Sequence, residues 1–281
     1  MLIVIPVSES DSNLSDDFCN ALKFFGDYKQ HDLLVVSRPS DSLHAVKIFS
    51  HLGSLFKKCD IHFFESDGVR GWPSGPNFYW KKTIEYLKSI NNTLPWLWME
   101  LDMTPVKFKW IDALEFYYKK SNKPCMGYLQ DTTTLTASQK VVKIGSHLVG
   151  AAIYPADISS CCTIWQYVDE INIAFDVLCQ NELVANSTHS DLFQHNFRTK
   201  NYRARHGLIV GEDHNNFPDG MRFDEPLRDN VVIVHGCDDG SLSKVITSYP
   251  IDSKAFHIYD NLTPYDILNK TRVDQFVKYF E

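Results

Sequence analysis

The chain has 281 residues, with 28 Lys and Arg against 35 Asp and Glu, giving a formal net charge of -7. Its 44% apolar and 22% charged residues match globular averages and exclude a disordered or collagen-like chain. No apolar run approaches the ~20 residues that span a bilayer, and the acidic balance excludes a protein that coats nucleic acid by charge alone.

Leu2–Val7 is a continuous apolar run closed by a polar turn, the pattern of a buried parallel strand. It lacks the basic region and cleavage site of a signal peptide. Leu14, Phe18, Leu22 and Phe25 follow at helical spacing, with Ser12 or Asn13 placed to cap them. A strand is expected at 33–37, a helix through Leu43, Val46, Phe49, Leu52 and Phe56, and a strand at 61–64. A polar loop then runs to Asn77, before a helix at 78–90 and a strand at 96–99. Such alternation predicts an α/β fold, a Rossmann-like, mostly parallel central sheet with helices on both faces.

Further on, the pattern predicts a helix at 108–120, strands at 125–128 and 148–154, a helix at 164–178 and a strand at 231–235. The polar, His- and Arg-rich stretch 191–228 reads as active-site loops or a lid. One weak amphipathic helix is expected at 264–280, within a segment (246–281) that wraps the domain. The division expected is a catalytic domain over 1–245, split into a nucleotide-binding half (1–102) and an acceptor half (103–245). Seven cysteines without CxxC spacing suit reduced, mostly buried thiols of a cytoplasmic protein.

After the first strand stands Pro6-Val7-Ser8-Glu9-Ser10, which matches neither GxGxxG nor a P-loop. The strongest chemical signal is Trp96-Leu97-Trp98-Met99-Glu100-Leu101-Asp102, an apolar strand ending in two carboxylates at i, i+2. Strand alternation would point Glu100 and Asp102 to one side, where hard oxygen ligands can hold Mg²⁺ or Mn²⁺. Taken alone, Asp102 also fits a turn cap. His235, at the end of a second apolar strand, is a third candidate ligand. The Gly/Pro-rich loop 67–77 enters a helix whose free amides suit a phosphate or sugar hydroxyl, with Trp72 to shield a ring and Asn77 to hydrogen-bond.

In this order the segments resemble the GT-A fold of nucleotide-sugar glycosyltransferases, over roughly residues 2–241. Val149-Gly150-Ala151-Ala152-Ile153-Tyr154-Pro155 resembles the GGxxxYP-type strand of such enzymes, and the His235-Gly236 step resembles their C-terminal metal-binding His. The resemblance implies a metal-dependent transfer from a nucleotide-diphosphate sugar, UDP-linked, with Asp102 and His235 on the metal and Glu100 on ribose or a metal-bound water. It places Pro6, Val7 and Ser8 on the base and ribose; the loop reading above adds Arg70, Trp72, Ser74, Gly75 and Asn77 beside the donor. Asp176, a carboxylate in an apolar helix, is the first choice for the base that an inverting enzyme needs, and Asp191 the second. Related enzymes often carry a Lys after the terminal His; here Asp238 and Asp239 stand instead, so Lys244, Arg198, Arg203 or Arg205 would supply the positive charge.

The stretch 189–206, with His189, His195, Arg198, Arg203, Arg205 and His206, fits either a solvated loop or a grip on an anionic acceptor. Enzymes of this look are frequent in phage genomes, which implies 5-hydroxymethylcytosine in DNA as an acceptor and the host cytoplasm as the compartment. A glycan, lipid or protein acceptor, or sugar nucleotidyl transfer, is the alternative.

Overall fold

The computed structural model describes residues 1–65, 68, 71–130, 133–137, 140–205, 208–212 and 227–248. Arg70, His206 and the helix expected at 264–280 lie outside the described residues. The first half alternates strand and helix as expected, except that the second helix stops at Leu52 and Phe56, expected within it, opens the next strand. In order come β1 (Leu2–Val7), α1 (Ser15–Phe25), β2 (Tyr28–Ser37), α2 (Ser42–Leu52), β3 (Phe56–Phe63), α3 (Ser74–Ser89) and β4 (Trp96–Trp98). Next are β5 (Thr104–Pro105), α4 (Trp110–Lys120), β6 (Cys125–Gln130), the hairpin β7 (Thr133–Ala137) and β8 (Lys140–Ile144), and β9 (His147–Tyr154). Two short helices follow, α5 (Phe175–Leu178) and α6 (Gln180–Ala185), then β10 (Ser187–His189). The chain continues through β11 (Phe193–Arg205), β12 (Leu208–Glu212), β13 (Ile233–Cys237) and α7 (Ser241–Ser248). No described helix is long and apolar enough to cross a membrane.

These elements gather into two compact units that interleave along the chain. The first takes Met1–Ser12, Tyr28–Glu100 and Tyr118–Ser190; the second takes Asn13–Asp27, Leu101–Tyr117 and the chain from Asp191 onward.

The first unit is built on a seven-stranded sheet in the order β10-β6-β9-β4-β1-β2-β3. All strands run parallel except β9, which is antiparallel to both β4 and β6. The apolar run of β1 lies in the interior because strands pair on both sides of it, leaving Ile3, Val4, Ile5 and Val7 fully buried. Aromatic rings fill the core. Trp80 stacks on Phe175 with centroids 4.4 Å apart, and Trp96 packs against Tyr154 at 4.8 Å. Six of the seven cysteines are buried, Cys59 is half-buried, and all seven are free thiols.

Two local departures from the expected elements have identifiable causes. Helix α3 starts at Ser74, not at residue 78, and takes Pro76 into its first turn. Amides there have no helical partner to lose, so proline is tolerated. The helix expected at 164–178 is instead a 3₁₀ turn (Ile164–Tyr167), a loop and the single turn of α5. Asn77 organises that loop: its amide nitrogen donates to Val168 O and Ile173 O, each at 2.7 Å, and its oxygen accepts from Phe175 N at 2.8 Å. A side chain thus takes the backbone groups that a continuous helix would use.

In the second unit a four-stranded sheet runs β12-β11-β13-β5. Its strands β11 and β12 occupy the region expected to be loops or a lid. Gln194 and Asn196 of β11 are buried with their polar groups bonded: Gln194 donates to Asn196, Asn196 donates to the Tyr202 hydroxyl, and Gln194 accepts from Arg228 N. Polar composition here marks a satisfied internal network. Helix α1 belongs to this unit as well, where it packs on α7 and β5, with Lys244 3.2 Å from Asp17.

Candidate functional site

Strand β4 stops at Trp98, and Met99 N donates to Val4 O at 2.9 Å. The chain then turns through Leu101 and Asp102 and enters β5, which runs antiparallel to β13 with Val234 opposite Thr104. Pairing brings Asp102 beside the end of β13, where Cys237 N donates to the Asp102 carbonyl at 3.0 Å. The Asp102 carboxylate stands 3.5 Å from Nε2 of His235. Glu100, two residues earlier, completes a group whose candidate ligand atoms all lie within 4.8 Å of one another. A turn, not the strand alternation expected from the sequence, joins the two carboxylates. Carboxylate oxygens with one imidazole nitrogen fit a divalent cation of the Mn²⁺ or Mg²⁺ kind. Among the described residues, this is the group of metal-ligand spacing. Burial first, and then the Asp102 charge, push the Cys237 thiol well up, so it stays protonated.

In the first unit, β9 runs past the end of β4 because Leu97 pairs with Ile153 and Trp96 with Tyr154. Its early residues lie beyond Trp98, toward Glu100, whose carboxylate accepts from Trp98 Nε1 at 3.0 Å. Here Gly150 meets Asp176. Gly150 N donates to one carboxylate oxygen at 3.2 Å and Val177 N to the other at 2.9 Å. Any side chain at Gly150 would collide with Phe175, since an added Cβ would stand 2.7 Å from that ring. The glycine of the β9 motif is therefore the contact that seats Phe175 and, next to it, Asp176.

Asp176 keeps part of its surface in solvent, but its carboxyl end points inward. Burial, foremost, raises its pKa above the ordinary 3.8; His147 opposes the rise and Glu100 adds to it. A raised carboxyl favours the fold while protonated, and that advantage is lost as pH climbs from 3.8 through the folded value. The melting temperature of Asp176→Asn relative to wild type should therefore rise between pH 3.5 and pH 7, whatever constant offset the lost acceptor adds. Thermal denaturation across that range checks this; a flat or falling difference would contradict it.

The remaining candidates spread over several settings. Val7 is buried, Pro6 and Ser8 are half-buried, and Ser8 donates to Asp11 at 2.6 Å. Trp72 is 61% exposed; Ser74 and Gly75 stand in the first turn of α3. Asn77 commits its amide to the 168–175 segment described above. Asp191 is exposed, 3.6 Å from Arg228. His189 accepts from Leu129 N at 3.0 Å, and His195 lies against His235. Asp239 accepts from Ser241 N at 2.9 Å and from Asn201 N at 2.8 Å. Asp239 thereby anchors the start of α7. Arg203 is exposed.

A buried network at the carboxyl end of β1 and β2 went unread in the sequence. Arg38 Nε donates to the Tyr79 hydroxyl at 3.0 Å and lies 3.5 Å from Asp41. The Tyr79 hydroxyl and Ser37 Oγ both reach Val7 O, at 3.1 and 3.0 Å. They fix the backbone at the step into Ser8. The signal was present, since Arg38 directly follows an apolar strand at the ligand-binding end of a parallel sheet.

No protein-family model matches the sequence, and no curated protein does. Solved structures do match. The bifunctional glycosyltransferase WbbM aligns with a TM-score of 0.53 and 8% identity over 92% of this chain and 51% of its own. The galactosyltransferase LgtC, solved with donor and acceptor sugar analogs, aligns with a TM-score of 0.50 and 10% identity over 91% of this chain and 99% of its own. Likeness at this level establishes the architecture: the chain has the GT-A fold of glycosyltransferases, as its motif order implied.

Proposed function

We propose that the protein is a metal-dependent glycosyltransferase that moves a sugar from a nucleoside diphosphate, UDP in the leading reading, to an acceptor hydroxyl. The observation that carries this reading is the Asp102 and His235 pair, with Glu100 beside it, at the end of β4 in a GT-A fold. Asp102 and His235 would hold Mn²⁺ or Mg²⁺, with Glu100 beside them or on the ribose. A bound cation there supplies Lewis-acid stabilisation of the charge that develops on the departing diphosphate. Pro6, Val7 and Ser8, on the backbone step fixed by Tyr79, would meet the base and ribose, and Trp72, Ser74 and Gly75 would stand beside the donor.

In the transfer, the acceptor oxygen bonds to the anomeric carbon as the bond to the diphosphate breaks. The acceptor proton passes to a carboxylate, for which Asp176 is first choice because its raised pKa brings it nearer neutrality. Asp191 is exposed and paired with Arg228, which supports it less.

A thermal-shift screen of UDP-, GDP- and CMP-sugars with and without Mn²⁺ tests the proposal. One donor should raise the melting temperature only when Mn²⁺ is present; ligand at a hundredfold excess over its Kd stabilises by about 2.7 kcal/mol. If no nucleotide sugar does so, the proposal fails. Mass spectrometry of glycan, lipid-linked and hydroxymethylated DNA acceptors, incubated with the identified donor, then assigns the hydroxyl. The DNA arm tests 5-hydroxymethylcytosine, the acceptor that the resemblance to enzymes frequent in phage genomes implied.

A further inference from the structure

The side chain of His195 plays no part in the ligand set above, yet it makes a direct contact with one of its members. Strands β11 and β13 are parallel, and their register sets His195 opposite His235. Side chains opposite one another in a paired ladder project to the same face of the sheet. The two rings are accordingly close, with centroids 4.8 Å apart and planes inclined by 45°. Their Nδ1 atoms are 3.0 Å apart, within hydrogen-bond distance. On the far side of the His235 ring, Nε2 is the atom that stands 3.5 Å from the Asp102 carboxylate.

Proton counting turns this contact into a statement about function. Two neutral imidazoles that share an Nδ1–Nδ1 hydrogen bond hold one proton between those atoms, and one ring donates while the other accepts. Were His195 the donor, neutral His235 would carry its own proton on Nε2, and that nitrogen would have no lone pair for a cation. Were His195 the acceptor, His235 carries its proton on Nδ1 and presents a free Nε2 lone pair toward Asp102. Metal-binding imidazoles are generally fixed in this way, by an acceptor on the nitrogen that does not bind.

We infer that His195 is a positioning residue that accepts the Nδ1 proton of His235 and so fixes Nε2 of His235 as the metal-binding atom. The inference rests on the metal reading of Asp102 and His235. It adds that His195 is the Nε2–H tautomer when the cation is bound, and that its role is acceptance at the δ position. An asparagine can serve that role, because its Oδ1 replaces Nδ1 at the same distance from the backbone. A phenylalanine keeps the ring's bulk and loses the acceptor.

The test is Mn²⁺ binding alone, without sugar, by isothermal titration calorimetry on the full chain. His195→Phe should weaken Mn²⁺ binding by about 10- to 100-fold, the usual cost of losing such a partner. His195→Asn should restore affinity to near the wild-type value. Equal affinity in wild type and His195→Phe would overturn the inference, as would equal losses in the Phe and Asn variants. If wild type itself binds no Mn²⁺, the metal reading fails first, and that outcome is distinct from either of these. A second measurement needs no variant. Long-range ¹H–¹⁵N spectra of the wild-type imidazoles with saturating Mg²⁺ should show His235 protonated on Nδ1 and His195 on Nε2. Protons on the opposite nitrogens would overturn it.

Discussion

Replacing Asp102 with Asn should lower metal-stimulated sugar transfer by about 1,000-fold while the metal-free protein melts within a degree or two of wild type. The rate loss corresponds to about 4 kcal/mol of transition-state stabilisation, the scale expected when a cation loses its anionic ligand at a departing diphosphate. Stability is spared for a structural reason. The fold uses the Asp102 backbone, whose carbonyl accepts from Cys237 N, and Asn keeps both that carbonyl and the side-chain shape. His235→Ala should follow Asp102→Asn in rate. Titrating Mn²⁺ into donor-hydrolysis assays, with apo melting curves alongside, separates the two effects. A variant that keeps full Mn²⁺ stimulation would remove Asp102 from the site.

Trp80→Ala should destabilise the first unit by about 3–5 kcal/mol, measured by urea unfolding. The indole is fully buried on α3, stacked on Phe175 at 4.4 Å and edge-on to Tyr154 at 5.7 Å. Removing it leaves a cavity between that helix and β9, against a typical total stability of about 5–15 kcal/mol. The damage should also displace Asp176, the proposed base, because Phe175 is its neighbour and is seated from the other side by Gly150. Trp72→Ala is the matched control. That indole is 61% exposed, so its loss should cost no more than about 0.5 kcal/mol. Equal costs for the two tryptophans would contradict this account.

Much of the first unit was legible in the sequence because its signals are local. Continuous apolar runs give β1, β4 and the end of β2, while of β3 (Phe56–Phe63) only the end was expected; in the second unit the spacing of Leu14, Phe18, Leu22 and Phe25 gives α1. What escaped depends on partners distant along the chain. The 164–178 segment has the composition of a helix, but Asn77, nearly a hundred residues earlier, holds its backbone in another shape. Strand β11 looked like a loop because Gln194 and Asn196 satisfy each other inside a sheet whose pairing with β13 no local pattern announces. The site divides in the same way. Glu100, Asp102 and His235 could be picked out as residue types at strand ends. Their meeting depends on the β5–β13 pairing, and the contact of His195 with His235 on β11 register, neither of which has a sequence signal.

The chain passes between the two units after Ser12, Asp27, Glu100, Tyr117 and Ser190. No single breakpoint in the gene would therefore release either unit as one continuous stretch. A fragment ending at Glu100 holds β1 to β4 but lacks β9, β6 and β10, the other three strands of their sheet. Recombination at one crossover would leave at least one unit chimeric, and both units when it falls between Asn13 and Ser190. Substitution within segments and exchange of short loops leave both units whole. Engineering of specificity is best confined to the same moves.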